Sequence, residues 1–318
     1  MAIFIIVPLV LIAVFACTTK ITVDADGNRL TEEQIETMTA EFYEENGEDA
    51  EIPEGMFVEK TIFSWENLLS VSTYMPTLIS SIWLAFIATL ICLLLGYPVA
   101  YIISRINVSK QKMMIFLMIL PMWINFLLRT YAWMTILENN GLLNKFLGLF
   151  GLGPFQFINT KGAVVLGMVY NYLPFMILPL YSVMTKIDNR TIEAARDLGA
   201  GSVNIFRRVV FPLSTSGIVS GFSMVFVPAV STFIISKMLG GGTNMLIGDL
   251  IDLQFLGASY NPHLGSAISL VLMVFILVCM SITNSLDDEE MEGVIVSRST
   301  YRASTWPSFS SSCTPRSP

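Results

Sequence analysis

Six apolar stretches alternate with polar ones along the chain, over residues 1–17, 75–104, 113–137, 162–185, 215–236 and 264–286. At about 1.5 Å of rise per residue, each of the last five is long enough for the ~30 Å hydrocarbon core of a bilayer. The first falls short, at about 25 Å. Pro98, Pro121, Pro174, Pro179 and Pro228 lie inside these stretches. Membrane helices tolerate such prolines because neighbouring helices satisfy the freed carbonyls. Gly96-Tyr97-Pro98 is an expected kink. The pattern predicts an all-α, polytopic membrane helix bundle of about six transmembrane helices.

Composition agrees with a membrane setting. The 318 residues are 53% hydrophobic and 14% charged, where soluble domains carry about 25% charged residues. The net charge of -7 is unevenly spread, because 14 of the 25 acids lie between Asp24 and Glu66. Residues 18–73 therefore read as an acidic, solvated extracytoplasmic loop. Within it, Thr31 to Tyr43 is expected as an amphipathic helix through Ile35, Met38 and Phe42, and Glu51 to Gly55 as a loop. A cation-attracting vestibule is the functional alternative for this segment. No basic stripe with interleaved aromatics is present, so a nucleic-acid partner is not expected. Cys17, Cys92, Cys279 and Cys313 contain no Cys-x-x-Cys pair and read as small membrane hydrophobes. His263, the only histidine, stands beside Pro262, which argues against a metal centre or a hydrolytic triad. No catalytic residue, bound metal or cofactor is expected, and the chain does not read as an enzyme.

Lysine and arginine set the orientation. Arg105, Lys110 and Lys112 follow the second span; Lys186, Arg190, Arg196, Arg207 and Arg208 follow the fourth. The opposite loops hold fewer, so these two loops and both termini are expected in the cytoplasm. No basic residue precedes the first apolar run, which argues against a signal peptide. Residues 1–17 read as a first span whose beginning is missing or marginal. The tail from Ser297 is rich in Ser, Thr and Pro and reads as disordered.

Between the fourth and fifth spans lies Glu193-Ala-Ala-Arg-Asp-Leu-Gly199, followed by Ala200 to Leu213 with the pair Phe211-Pro212. Arg190 to Leu198 contains good helix formers. Asp188 or Asn189 can cap the start, and Gly199 can take the left-handed conformation that ends the helix. Ala194 and Ala195 are small enough for another surface to approach the backbone. The order Glu-Ala-Ala, Gly, apolar-Pro resembles the cytoplasmic "EAA" loop of permease subunits of ABC importers. That resemblance implies a short coupling helix that docks into a cleft on a separate ATPase subunit, with Glu193, Ala194, Ala195, Asp197, Gly199 and Pro212 as coupling residues. The loop's cytoplasmic side follows independently from the basic residues.

The likeness extends further. Pro121 to Trp133, Glu138 to Asn144, Gly167 to Tyr181, Leu239 to Gly242 and Gln254 to Gly257 look like the spermidine/putrescine branch of that family. The branch implies a heterodimer of two related permeases, ABC ATPase subunits and an extracytoplasmic polyamine-binding protein, in a bacterial cytoplasmic (inner) membrane. No Gly-x-x-x-x-Gly-Lys-Ser/Thr is present, so ATP and Mg are expected on the partner ATPase. The implied division is 1–17 first span, 18–73 acidic loop, 74–286 permease core and 287–318 cytoplasmic tail. The first span and the tail depart from the family pattern. We expect an upstream start, and a frameshift into a neighbouring gene over Ser304 to Pro315.

Candidate path residues are Tyr131, Trp133, Glu138, Tyr170, Asn171 and Asp249. Ring faces and carboxylates suit the ammonium groups of a polycation. Tyr131 and Glu138 are seven apart and share a helical face. The aromatics equally suit a belt at the membrane surface, Glu138 an interfacial position, and Asp249 and Asp252 a solvated loop. An ion-gradient-driven secondary transporter of small organic cations is the alternative. It needs buried carboxylates in mid-span, and the six stretches hold almost none. A membrane enzyme would need a clustered set of His, Asp, Glu or Ser, which the pattern lacks.

Overall fold

Asn67–Arg105, Lys161–Met184 and Pro262–Thr283 are helices long and apolar enough to cross a membrane. Two further helix pairs cover the other long apolar stretches, each pair broken in the middle. The computed structural model describes residues 2–23, 29–46, 58–257 and 260–304. In chain order the elements are α1 (Ala2–Ala16), β1 (Thr18–Val23), α2 (Glu32–Asn46), β2 (Val58–Phe63), α3 (Met75–Arg105), α4 (Val108–Ile119), α5 (Phe126–Leu137), α6 (Leu142–Gly148), α7 (Lys161–Met184), α8 (Asn189–Asp197), α9 (Ser202–Leu213), α10 (Thr215–Val230), α11 (Ile234–Leu239), α12 (Ile247–Leu256) and α13 (Pro262–Ser304). The bundle is helical as expected, with one small hairpin added.

On α3, Ile79, Trp83, Phe86, Leu90 and Leu94 recur every three or four residues and are all exposed. In water such a stripe would be costly; in lipid it is the solvated face. The other side of the helix buries small residues, Ala85, Ala88 and Cys92, which let neighbours approach.

The chain divides into two units, one of residues 1–87, 127–168 and 230–276, the other of 88–126, 169–229 and 277–318. In the first unit, β1 and β2 pair antiparallel, with Thr18 opposite Phe63 and Val23 opposite Val58. This hairpin was not expected from the acidic composition. Its strands are Thr18-Thr-Lys-Ile-Thr-Val23 and Val58-Glu-Lys-Thr-Ile-Phe63, rich in β-branched residues that favour strands. The expected amphipathic helix forms as α2. Thr31 and Gln34 exchange backbone and side-chain hydrogen bonds at its start, a capping box. Glu51 to Gly55 lie outside the described residues, as do 305–318. Asn144 pins the loop after α5: its Nδ2 donates to the carbonyls of Asn139 and Phe155, and its Oδ1 accepts from the Phe155 N–H at 3.0 Å.

In the second unit, α7 and α10 pack closely. A side chain at Gly221 would start 2.8 Å from Met176 Sδ and 3.3 Å from the Met176 carbonyl oxygen. These two helices flank the polar segment, so its two ends are fixed against each other.

Three boundaries differ from expectation. The third stretch is not one helix: a 3-10 turn over Leu120–Trp123 and an extended Ile124 separate α4 from α5. Pro121 opens that turn and has no N–H to continue the helical ladder. The fifth stretch ends as a helix at Val230, and the chain re-forms α11 at Ile234. Pro228 lies one turn before that break. Finally, α13 continues to Ser304, so the tail reading of 287–318 is revised for 287–304.

Candidate functional site

The polar segment between α7 and α10 is built as a capped helix with a closed end. Asp188 has extended backbone, and its carboxylate accepts from the Arg190 N–H at 3.0 Å. Inward, Ile192 packs with Ile187, Ile205 and Val210, and Tyr101, Ala195, Ala200 and Val209 close around them. At the far end Gly199 has φ 80°. Its N–H donates to the Arg196 carbonyl at 2.8 Å, and the Ala200 N–H donates to the Ala195 carbonyl at 3.1 Å. This pair of bonds is a Schellman motif, which satisfies the last free carbonyls of α8. A side chain at 199 would meet nothing within 4 Å, so backbone conformation, not space, selects glycine here.

Five of the expected coupling residues, Glu193, Ala194, Asp197, Gly199 and Pro212, are exposed. Ala195 differs: it is half-buried and belongs to the inward cluster. Two residues outside the expected coupling set stand out. Leu198 is 89% exposed and Val203 is 78% exposed. They flank Gly199 in the polar segment between α7 and α10.

The path candidates divide between the two units. In the first, Tyr131 and Glu138 are exposed and Trp133 is half-buried. Helix α5 ends at Leu137, so the helical face shared by Tyr131 and Glu138 stops one residue short of Glu138. In the second, Asn171 is buried and Tyr170 is exposed on α7.

Asp249 is not in a solvated loop. It lies in the first turn of α12 and is only 6% exposed. Its Oδ2 accepts from the Leu246 N–H at 2.8 Å. Its Oδ1 is buried without a hydrogen-bond partner among the described residues. Nearby, Lys237 and Asp252 form an ion pair at 2.9 Å. Burial pushes the Asp249 carboxyl above the usual carboxylate range; the Ser236 hydroxyl, the Leu246 N–H and the Lys237 ammonium pull it partly back.

That shift has a sign in stability. With the folded value raised, the native state holds this proton more tightly than the unfolded chain does. The contribution is fully present below the ordinary carboxylate value, about pH 4, and is lost as pH rises through the raised value. Asp249→Asn carries no such charge and keeps an acceptor for Leu246. Thermal unfolding of the purified protein should therefore show Asn gaining on Asp as pH rises above about 4. A difference that does not change with pH contradicts the assignment.

Residues 51–288 match the family described as binding-protein-dependent transport system inner membrane component. The spermidine/putrescine transport system permease protein PotB of Haemophilus influenzae is 40% identical over 237 residues, 73% of this chain and 82% of that protein. PotB of Escherichia coli is 39% identical over 219 residues, 68% of this chain and 79% of that protein. Among solved structures, a bacterial alginate ABC transporter in complex with its alginate-bound periplasmic protein shares the fold, with a TM-score of 0.57 at 15% identity over 80% of this chain and 87% of that chain. With three quarters of its length matched and two 39–40% relatives, the chain belongs to the family of binding-protein-dependent inner-membrane transport components, as a multi-pass permease.

Proposed function

We propose that this chain is the permease subunit of an ATP-driven ABC importer that carries spermidine and putrescine into the cell. The observation that carries the substrate is the 40% identity to a permease named for those two polyamines. The coupling residues and the Leu198–Val203 surface support the ATP-driven part. They offer a closed helix end and an uncovered apolar pair to a separate ATPase, on which ATP and Mg act. The other partners in this reading are a second, homologous permease and an extracytoplasmic polyamine-binding protein. Both termini and the α8–α9 segment lie in the cytoplasm, following the lysine and arginine distribution. ATP binding brings the ATPase subunits together, α8 moves with them, and the bundle exchanges inward- for outward-facing access. The path residues Tyr131, Trp133, Glu138, Tyr170, Asn171 and Asp249 belong to this reading as contacts for ammonium groups and methylene stems.

The test is uptake of labelled spermidine and putrescine by the assembled complex in proteoliposomes. Uptake should require ATP inside and binding protein outside, and should persist when ionophores collapse ion gradients. Uptake driven by a gradient without ATP would establish the secondary-transporter alternative.

A further inference from the structure

Side chains of α3 meet the coupling segment at both of its ends. Tyr97, Tyr101 and Arg105 are spaced four apart and so share one face of the helix. At the far end, Tyr97 OH lies 2.7 Å from Ser214 Oγ, with both groups buried. The Ser214 hydroxyl donates to the Phe211 carbonyl at 3.0 Å, which leaves Tyr97 as the donor to Ser214. Ser214 is 0% exposed and sits at the break where α9 and α10 bend by 64°. The Tyr97 ring also contacts Phe206 at 5.4 Å and Phe211 at 6.1 Å, and Tyr101 contacts Phe206 at 6.0 Å. At the near end, Arg105 lies over the Tyr101 ring at 5.5 Å and donates through Nη1 to Asn189 Oδ1 at 2.6 Å. Asn189 is the first residue of α8.

We infer that Tyr97, Tyr101 and Arg105 form a strut by which α3 receives the movement of the coupling segment, with Tyr97–Ser214 as its pivot. The inference rests on the coupling role proposed for α8. The two ends are unequal. The Tyr97–Ser214 contact is buried, and its hydroxyl chain ends on a carbonyl. The Arg105–Asn189 bond is exposed, Nη1 reaches the Ile187 carbonyl only at a long 3.4 Å, and Arg105 Nε and Nη2 are buried without an acceptor among the described residues. A clamp with unmet donors and water at its edge lets go more readily than a buried one. The Ser214 end is therefore the fixed point and the α8 end the one that swings. Tyr97, Tyr101 and Arg105 act through the segment; they are positioning residues.

The experiment compares polyamine imported with ATP hydrolysed, in the full complex in proteoliposomes. Tyr97→Phe removes one hydroxyl and keeps the ring. It is expected to lower the import-to-hydrolysis ratio about tenfold, as loss of a buried hydrogen bond shifts a two-state balance by about that much. Ser214→Ala should do the same, and the double variant should be no worse than either single one. Arg105→Gln should change the ratio less than about threefold, its bond being exposed. Import and hydrolysis falling in proportion, or a parental ratio in both Tyr97→Phe and Ser214→Ala, overturns the strut. Leu198→Asp separates this from the coupling reading. If it releases the ATPase while Tyr97→Phe keeps a parental ratio, only the strut fails. If the ATPase stays bound, the coupling reading fails and takes the strut with it.

Discussion

Replacing Leu198 by Asp is expected to weaken association with the partner ATPase about a hundredfold, while the bundle stays folded. Leu198 is 89% exposed, so the free chain loses almost nothing by the change. A leucine buried at a contact contributes about 1.5–3 kcal/mol, and a carboxylate forced into the same apolar place adds its own desolvation cost. Val203→Asp should act in the same direction. Gly199→Val probes the same end of α8 by another route. Gly199 holds φ at 80°, which costs an ordinary residue about 1–2 kcal/mol, and a β-branched one more. It should therefore leave the complex assembled but hydrolysing ATP without proportional import. Affinity is read by co-purification and titration of the ATPase against detergent-solubilised permease. A Leu198→Asp variant that binds ATPase at parental affinity removes this surface from the interface.

Much of the α8 segment was legible in the sequence because its determinants are local. An acid before a run of helix formers caps it, and glycine after them closes it; Asp188 and Gly199 do both. Leu198 was read only as a helix former, though a signal of its exposure existed. It lies six residues after buried Ile192, about 240° around a helix at 100° per residue, and so off the buried face. A leucine pointing away from its own core in a polar segment asks for a partner. The strut on α3 was hidden for a different reason. Tyr97 and Ser214 are 117 residues apart, and no local rule pairs them. Pattern alone also mistook the third and fifth stretches for unbroken helices, since hydropathy continues across Ile124 and Ser231 while the α-helix does not.

Among the path candidates, Asp249→Asn is expected to have the largest effect on transport, with the half-saturating polyamine concentration raised about thirtyfold or more. The sequence reading offered Glu138 an interfacial position and Asp249 a solvated loop; burial reverses their order. Glu138 is exposed just after α5, where an ion pair contributes about 0–1 kcal/mol. Glu138→Gln should therefore stay within about threefold of the parent. Asp249 is buried on α12 with one carboxylate oxygen unmet. An ammonium group reaching that oxygen would complete its hydrogen bonding, and truncating one partner of a buried charged pair costs about 2–5 kcal/mol. Trp133 is half-buried, and Trp133→Leu should fall between the two, a desolvated cation–π contact contributing about 2 kcal/mol. Each variant is measured in the assembled complex with its binding protein, with ATPase association checked first to confirm assembly. If Asp249→Asn assembles and carries both spermidine and putrescine at parental rate and affinity, its carboxylate serves only to cap α12. Recognition then belongs to the binding protein or to other residues of the assembled complex.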